Sequence, residues 1–229
     1  MADFKDISVI IPVREGSSRI KNKIFLPFYN GMNILEWKIN QVKQFHSNDR
    51  IFISSNSIKV RSIAENMGVC FLEREDYLSV GHLASFSEVI TGIVKKIPTS
   101  HFAWITVVVP LMSPAEYKAA FEKYLSLVVK EKKFDSLVTV NLLKEYLWSE
   151  KSPLNYEANR NHTISQQLPN IYRVTNGLYV RDCKSTLADG YFLGSNPLKF
   201  TVSKIAGIDM DEQEDYEIAL ALKSLYKDF

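Results

Sequence analysis

The stretch Ile7-Ser8-Val9-Ile10-Ile11-Pro12-Val13-Arg14-Glu15-Gly16-Ser17-Ser18-Arg19-Ile20-Lys21-Asn22-Lys23 decides the fold. Residues 7–12 are a short apolar run stopped by proline, the pattern of a strand buried on both faces. The loop that follows holds one glycine, two serines and four cations. A strand that delivers the chain to a sheet edge and opens into such a loop can hold a nucleotide triphosphate. Gly16 and Ser17 let backbone N–H groups approach phosphate oxygens. Arg14, Arg19 and Lys23 supply the charge that such an anion needs. The loop is neither a Walker A loop nor a dinucleotide-binding G-x-G-x-x-G turn.

Outward from this stretch, strand and helix signals alternate. Residues 33–45 place Ile34, Leu35, Trp37, Ile39, Val42 and Phe45 largely on one helical face behind Asn33 as N-cap. A strand over 51–55, a helix over 58–67 closed by Gly68 and a strand over 69–72 follow. A helix from Ser85 or Ser87 runs to about Lys96, and the apolar run Trp104–Val109 predicts the next strand. A helix over 114–130 and a strand over 136–140 come after it. Such units predict an α/β, Rossmann-like three-layer fold with a mostly parallel sheet covered on both faces. Its ligand belongs at the carboxyl ends of the strands, where the loop after the first strand, the Ser54-Ser55-Asn56 loop and the 110–114 loop all lie.

Between about 142 and 174 the periodicity fails, and Trp148, Pro153, Tyr156, Pro169 and Tyr172 stand among polar residues. This reads as an inserted arm, rich in hairpin or serving dimerisation, within one domain over 1–229. The chain returns as a strand over 178–181, carries strand-like residues from Phe200 to Ile208, and closes with an amphipathic helix over 212–227. Just before that helix stands Gly207-Ile208-Asp209-Met210-Asp211-Glu212-Gln213-Glu214-Asp215. In extended chain, alternate side chains point the same way, so Asp209 and Asp211 present two carboxylates to one side. Mg²⁺ takes such paired oxygens when it also binds substrate phosphates. Asp211 can equally cap the last helix, with Glu212, Glu214 and Asp215 favouring its positive end.

The 229 residues carry 28 basic and 26 acidic side chains, a net charge of +2. That balance gives no overall field for nucleic acid, so cations matter only where they cluster. Cys70, read as a core thiol, and Cys183 suggest neither a disulfide nor a metal site. The first residues lack a secretory pattern, and no segment is long and apolar enough to span a bilayer, so a cytoplasmic protein without membrane partners is expected. The four histidines do not cluster.

Read as P-x-R-x-G-S-x-R-I-x-x-K, the opening loop resembles that of the sugar-nucleotide cytidylyltransferases, nearer the 3-deoxy-manno-octulosonate type than the acylneuraminate type. Ile208-Asp209-Met210-Asp211, with Asp215 and Ala219, resembles the acylneuraminate enzymes' C-terminal I-D-I-D-x-x-x-D-x-x-x-A block, whose aspartates hold the catalytic Mg²⁺. Gln166-Gln167-Leu168-Pro169, Tyr172 and Asn176-Gly177-Leu178-Tyr179 resemble the family's sugar-pocket stretch. Arg74 and Ser85 fall where the family contacts cytidine. The resemblance runs in order from Ile7 to Ala219. It implies a CTP-dependent transfer that forms a CMP-sugar from a sialic acid-like 2-keto sugar acid, for surface polysaccharide biosynthesis, with pyrophosphate released. It further implies Gln167, Asn176 and Tyr179 on the acceptor side, and a homodimer joined through the arm. Three departures stand out: Ser18-Arg19 in the loop, Asn56 for an aspartate, and Pro110–Glu116 without the family's threonine and arginine. A GT-A-type glycosyltransferase, which also uses an Asp-x-Asp metal site, and a non-catalytic nucleotide-binding relative are the competing readings.

Overall fold

The computed structural model describes residues 4–16, 19–79 and 83–225. Nine strands alternate with helices: β1 (Ile7–Pro12), β2 (Pro27–Tyr29), β3 (Met32–Asn33), β4 (Ile51–Ser55), β5 (Cys70–Glu73), β6 (His101–Ile105), β7 (Ser136–Leu143), β8 (Ile171–Asp182) and β9 (Pro197–Thr201). The helices are α1 (Ile34–Lys43), α2 (Ile58–Asn66), α3 (Asp76–Ser79), α4 (Phe86–Val94), α5 (Pro114–Tyr124), α6 (Cys183–Asp189) and α7 (Gln213–Leu222). Strands β2 and β3 form a small hairpin, and the other seven make one sheet in the order β5-β4-β1-β6-β8-β7-β9. Only β8 runs antiparallel to its neighbours; β5, β4, β1 and β6 are parallel to one another, as are β7 and β9.

Strand alternation divides the core into two faces. Val9, Ile11, Ala103, Ile105, Leu178 and Val180 pack with α1, α2 and α5 on one side. Ile10, Phe102, Trp104 and Tyr179 pack with Ile90, Ile93 and Val94 of α4 and with Phe192 on the other. This is the three-layer arrangement that the alternating signals predict.

Local capping fixes the helices where the sequence places them. Asn33 caps α1 in a capping box with Glu36, and Ser85 does the same for α4 with Glu88. Gly68, at φ +66°, follows the end of α2 in the left-handed conformation that a terminating glycine supplies.

Several boundaries differ from expectation. Strand β6 begins at His101 and ends at Ile105, not Val109. Val107 and Val109 are apolar because they are buried as loop, not because they pair. The helix over 114–130 is α-helical to Tyr124 and wider-wound over Leu125–Lys130. Strands β7 and β8 extend to Leu143 and from Ile171, so the excursion from the sheet narrows to residues 144–170. Strand β9 stops at Thr201, and residues 202–211 are loop. The final α-helix spans Gln213–Leu222 with a 3-10 turn to Leu225. Cys70 is half-buried at the start of β5, not a core thiol. Among the described residues, no helix is long and apolar enough to cross a membrane.

Candidate active site

Pro12, at the carboxyl end of β1, and Trp104, next to the end of β6, open onto one cavity of about 580 Å³. Its lining includes Arg14, Arg19 and Arg74 as cations, Asp209 and Asp211 as acids, Asn176 and Tyr179 as neutral polar groups, and an apolar wall of Trp104, Val89, Phe86 and Phe192. A second recess of about 240 Å³ shares Arg14, Arg19 and Asp211 and adds Lys23. The structure therefore gathers eight of the expected residues: Arg14, Arg19, Lys23, Arg74, Asn176, Tyr179, Asp209 and Asp211.

The cations hold distinct positions. Arg74 is buried, with Nη2 donating to the Val13 carbonyl at 2.6 Å and Nε to Ser79 Oγ at 3.0 Å. Burial, and then the Arg14 guanidinium, push its pKa down to about 10, so it remains charged at neutral pH. Neither Arg74 nor Arg14 has a carboxylate at ion-pairing distance among the described residues. Two adjoining guanidiniums facing a cavity without a protein counter-ion are a seat for an anion. Lys23 is buried and donates from Nζ to the Met210 carbonyl, with Asp211 Oδ1 at 3.7 Å. Arg19 is half-exposed and pairs with Asp211 Oδ1 at 2.6 Å.

The acids lie on loop, yet their alternation survives: Asp209 and Asp211 line the cavity while Met210 between them is fully buried. The Met210 N–H donates to the Val108 carbonyl at 2.8 Å, so the backbone of this one residue is held on both sides, by that carbonyl and by Lys23. Asp211 is not the helix cap. Glu212 takes that position, and Asp215 accepts from the N–H groups of both Asp211 and Glu212, at 2.9 and 2.8 Å. Asp211 keeps its carboxylate for the cavity and for Arg19.

Asp209 is held by a short relay. Tyr179 O–H donates to Asn176 Oδ1 at 2.7 Å, and Asn176 Nδ2 donates to Asp209 Oδ2 at 2.8 Å. Asn176 sits at φ +58°, a conformation asparagine tolerates better than most residues, and its carbonyl accepts from Thr106 Oγ1 at 2.7 Å. The other oxygen, Asp209 Oδ1, is buried without a partner among the described residues. Burial, offset in part by Asn176, raises the Asp209 pKa. A buried carboxylate with one free oxygen suits a cation. No group of three or more His, Cys, Asp or Glu suited to a metal occurs among the described residues. An ion here would rest on Asp209 and Asp211 and complete its shell with water or phosphate oxygens, the habit of Mg²⁺.

Other expected residues are placed elsewhere. Ser85 lies beside the lining residues Ala84 and Phe86, but its hydroxyl is spent on the Glu88 cap of α4. Gln167 is exposed on the 3-10 turn Ser165–Gln167, away from the cavity. Gly16 stands in the loop at φ +86° with open space around it. Ser17, like His82, lies outside the described residues. Asn56 donates to Asp76 Oδ1 at 3.0 Å rather than lining the cavity. In the 110–116 segment, Pro110, Leu111 and Met112 are buried and Ser113 caps α5 with Glu116; of the run before it the cavity meets Trp104, Thr106 and Val108, and the second recess meets Val107 and Val108.

Sequence reading did not assign Trp104 and Phe192 to the site. Trp104 and Tyr179 are cross-strand partners, and Phe192 stacks on Tyr179 at 4.0 Å between ring centroids. A bulky aromatic one residue from a strand's carboxyl end could have marked Trp104. Phe192, in a loop after α6, carried no comparable signal.

A cation-lined cavity at the carboxyl edge of a mainly parallel sheet, closed by paired carboxylates, defines an α/β protein equipped to hold a phosphorylated ligand. Residues 8–182 match the family described as Cytidylyltransferase, and the chain belongs to that family. It is 22% identical over 223 residues to the N-acylneuraminate cytidylyltransferase of Escherichia coli O18:K1:H7 (strain RS218 / NMEC). That match covers 95% of this chain and 52% of the relative, so the chain spans about half the length of that protein. Among solved structures, CMP:2-keto-3-deoxy-manno-octonic acid synthetase complexed with CTP superimposes with a TM-score of 0.72 at 13% identity, over 96% of this chain and 99% of that one. The 4-diphosphocytidyl-2C-methyl-D-erythritol synthase from Anaerococcus prevotii DSM 20548 gives 0.61 at 13% identity, over 95% and 96%. At these identities the structural likeness speaks for the fold.

Proposed function

We propose that this protein transfers a cytidylyl group from CTP to a 2-keto sugar acid, forming a CMP-sugar and pyrophosphate with Mg²⁺ bound. The observation that carries the reading is the opposition, in one cavity, of Arg14 and Arg74, which pair with no carboxylate among the described residues, to Asp209 and Asp211, with Asp209 Oδ1 unpartnered among those residues. Family membership supports CTP as the nucleotide, and the acylneuraminate relative supports a sugar acid as acceptor.

In the reaction, the acceptor's anomeric hydroxyl gives up its proton to solvent as its oxygen forms a bond to the α-phosphorus, the bond from that phosphorus to the bridging oxygen breaks, and pyrophosphate leaves with that electron pair. Such chemistry is largely positioning and charge stabilisation. Arg14 and Arg19 draw the β- and γ-phosphates to the loop, and Lys23 stabilises the charge that grows on the leaving group. When Arg19 turns to phosphate it releases Asp211 from their ion pair. Asp209 and Asp211 would hold the metal, with Asp209 oriented by Asn176 and Tyr179. When bound, Mg²⁺ supplies Lewis-acid polarisation of the α-phosphate. The aromatic wall of Trp104 and Phe192 excludes water from the acceptor's side.

The arm over 144–170 exposes Trp148, Leu154 and Ile164. This apolar surface supports a homodimer through the arm, in the cytoplasm where CTP is made.

The test is pyrophosphate release from CTP with a panel of 2-keto sugar acids, with Mg²⁺ or with EDTA, and with nucleotide-sugars as the contrasting donor. Release with one acid, abolished by EDTA and by Asp211→Ala or Lys23→Ala, is expected. Full activity in both variants with ordinary Mg²⁺ dependence refutes the assignment, as does CTP binding without turnover of any acid. Sedimentation of the intact chain reads the dimer.

A further inference from the structure

The most deeply buried lysine among the described residues lies outside the cavity. Lys38, on α1, is fully buried, and burial pulls its pKa well below the ordinary lysine value against the raising pull of Glu116. Its Nζ donates to the Val109 carbonyl at 2.8 Å and to the Tyr117 hydroxyl at 2.8 Å, above the Tyr117 ring. Two neighbours on the same helix do similar work. Trp37 Nε1 donates to the Pro110 carbonyl at 2.8 Å, and Gln41 Nε2 to the carbonyls of Pro110 and Met112, at 2.8 and 3.0 Å. Gln41 Oε1 has no partner among the described residues. A buried amine and an unpartnered amide oxygen are costly to keep in a core, and here the donors of the two side chains, Lys38 Nζ and Gln41 Nε2, grip the 109–112 backbone.

That backbone leads straight to the acids. Val108, one residue before the gripped segment, accepts from the Met210 N–H, and Met210 separates Asp209 from Asp211. The same segment touches the Asn176 side of the site. A methyl group added at Gly177 would meet Val109 Cγ1 at 3.2 Å and Met112 Sδ at 3.5 Å.

We infer that Lys38 is a positioning residue: through the Val109 carbonyl, and with Gln41 beside it, it sets the depth of the 107–112 segment and thereby the placement of Asp209 and Asp211. The consequence for turnover rests on the proposed role of those acids; the mechanical coupling does not.

Hydrogen–deuterium exchange of the intact protein, with wild type, Lys38→Met and Gln41→Leu compared, tests the coupling without any substrate. Methionine keeps the apolar reach of Lys38 while removing its donors. In Lys38→Met, a peptide covering Met210 should exchange at least about ten-fold faster while β1 amides keep wild-type protection, since local protection can be lost independently of global unfolding. In the same variant kcat for pyrophosphate release should fall by about ten-fold with KM for CTP within about three-fold, the pattern of a group acting on the transition state alone. Wild-type protection at Met210, or an equal rise in exchange at Met210 and β1, overturns the inference, because the second pattern is that of a merely structural lysine. If Lys38→Met does not fold, Gln41→Leu is read by the same two criteria. If wild type releases no pyrophosphate with any acid, the proposed reaction fails and the exchange comparison alone decides the coupling.

Discussion

Asn176 concentrates several constraints in one residue. It holds a left-handed backbone, its carbonyl accepts from Thr106, and its amide joins the Tyr179 hydroxyl to Asp209. Backbone and side-chain roles can be separated by two substitutions. Asn176→Gly keeps the conformation and removes the amide; Asn176→Ala removes the amide and adds strain of about 1 kcal/mol. The expected outcome is a similar fall in kcat for both, with only the alanine variant shifted to a lower urea midpoint. Asp209→Asn asks more of the site, since it removes the charge while keeping the shape. Loss of about 10²–10³-fold in kcat is expected, the range seen when one group that stabilises transition-state charge is removed. A variant with near wild-type kcat in saturating Mg²⁺ would exclude Asp209 from the reaction.

At the scale of elements, the loop between β9 and α7 carries the acids and is held by contacts distant in sequence. Asn141 Nδ2 donates to the carbonyls of Val202 and Ser203, while Arg173 Nη2 reaches Asn141 Oδ1 and the Gly207 carbonyl. A methyl group at Gly207 would press on Asn141 Oδ1 and come within 2.7 Å of Thr175 Cγ2. Asn141 has no room to withdraw, being buried and bonded on both ends. Gly207→Ala should therefore cost about 1–3 kcal/mol, the usual range for overpacking, and should lower kcat by displacing Asp209. A urea titration and a turnover assay read the two effects. These elements also explain what the sequence could and could not disclose. Asn33 and Gly68 were legible because capping is settled within four residues, and the start of α5 at Pro114 was legible for the same reason. The end of β6 was not, since Val107 and Val109 are apolar because they are buried as loop rather than because they pair. Nor was the first half of β8, which pairs with β7 alone and exposes Tyr172 and Val174 as a surface strand can, whereas its second half was expected over 178–181. The Asp209–Asp211 pair was legible although β9 stops at Thr201 and the acids lie on loop, because the intervening Met210 is buried and both carboxylates are left on the cavity side.

Taken as a whole, the molecule places a titrating group beneath the strand that carries the phosphate-seat loop. His46 is buried among Phe4, Phe45 and Phe121, with Nε2–H donating to the Ile7 carbonyl at 2.7 Å at the start of β1. Its pKa is lowered, chiefly by burial, against the raising pull of Ile7 and Asp49. The folded protein therefore holds the ring neutral, whereas the unfolded chain protonates it near the ordinary value of 6.5. Proton uptake by the unfolded state makes stability fall as pH drops below about 6.5, and the contribution is fully present above that value. Carboxylates held below their usual range, such as Glu88 by Ser85 and Glu131 by Lys133, act in the opposite sense of charge but the same direction of pH. Their contribution is present above the ordinary carboxylate range of about 4 to 4.5 and is lost only as pH falls through it. The two windows do not overlap. Urea midpoints measured from pH 8 to pH 5 should therefore decline below about 6.5 in wild type, and His46→Gln should flatten that decline while leaving the steeper loss near pH 4 in place. A wild-type midpoint constant from pH 8 to pH 5 would mean that the His46 ring is protonated without penalty, and so is not enclosed beneath β1 in solution.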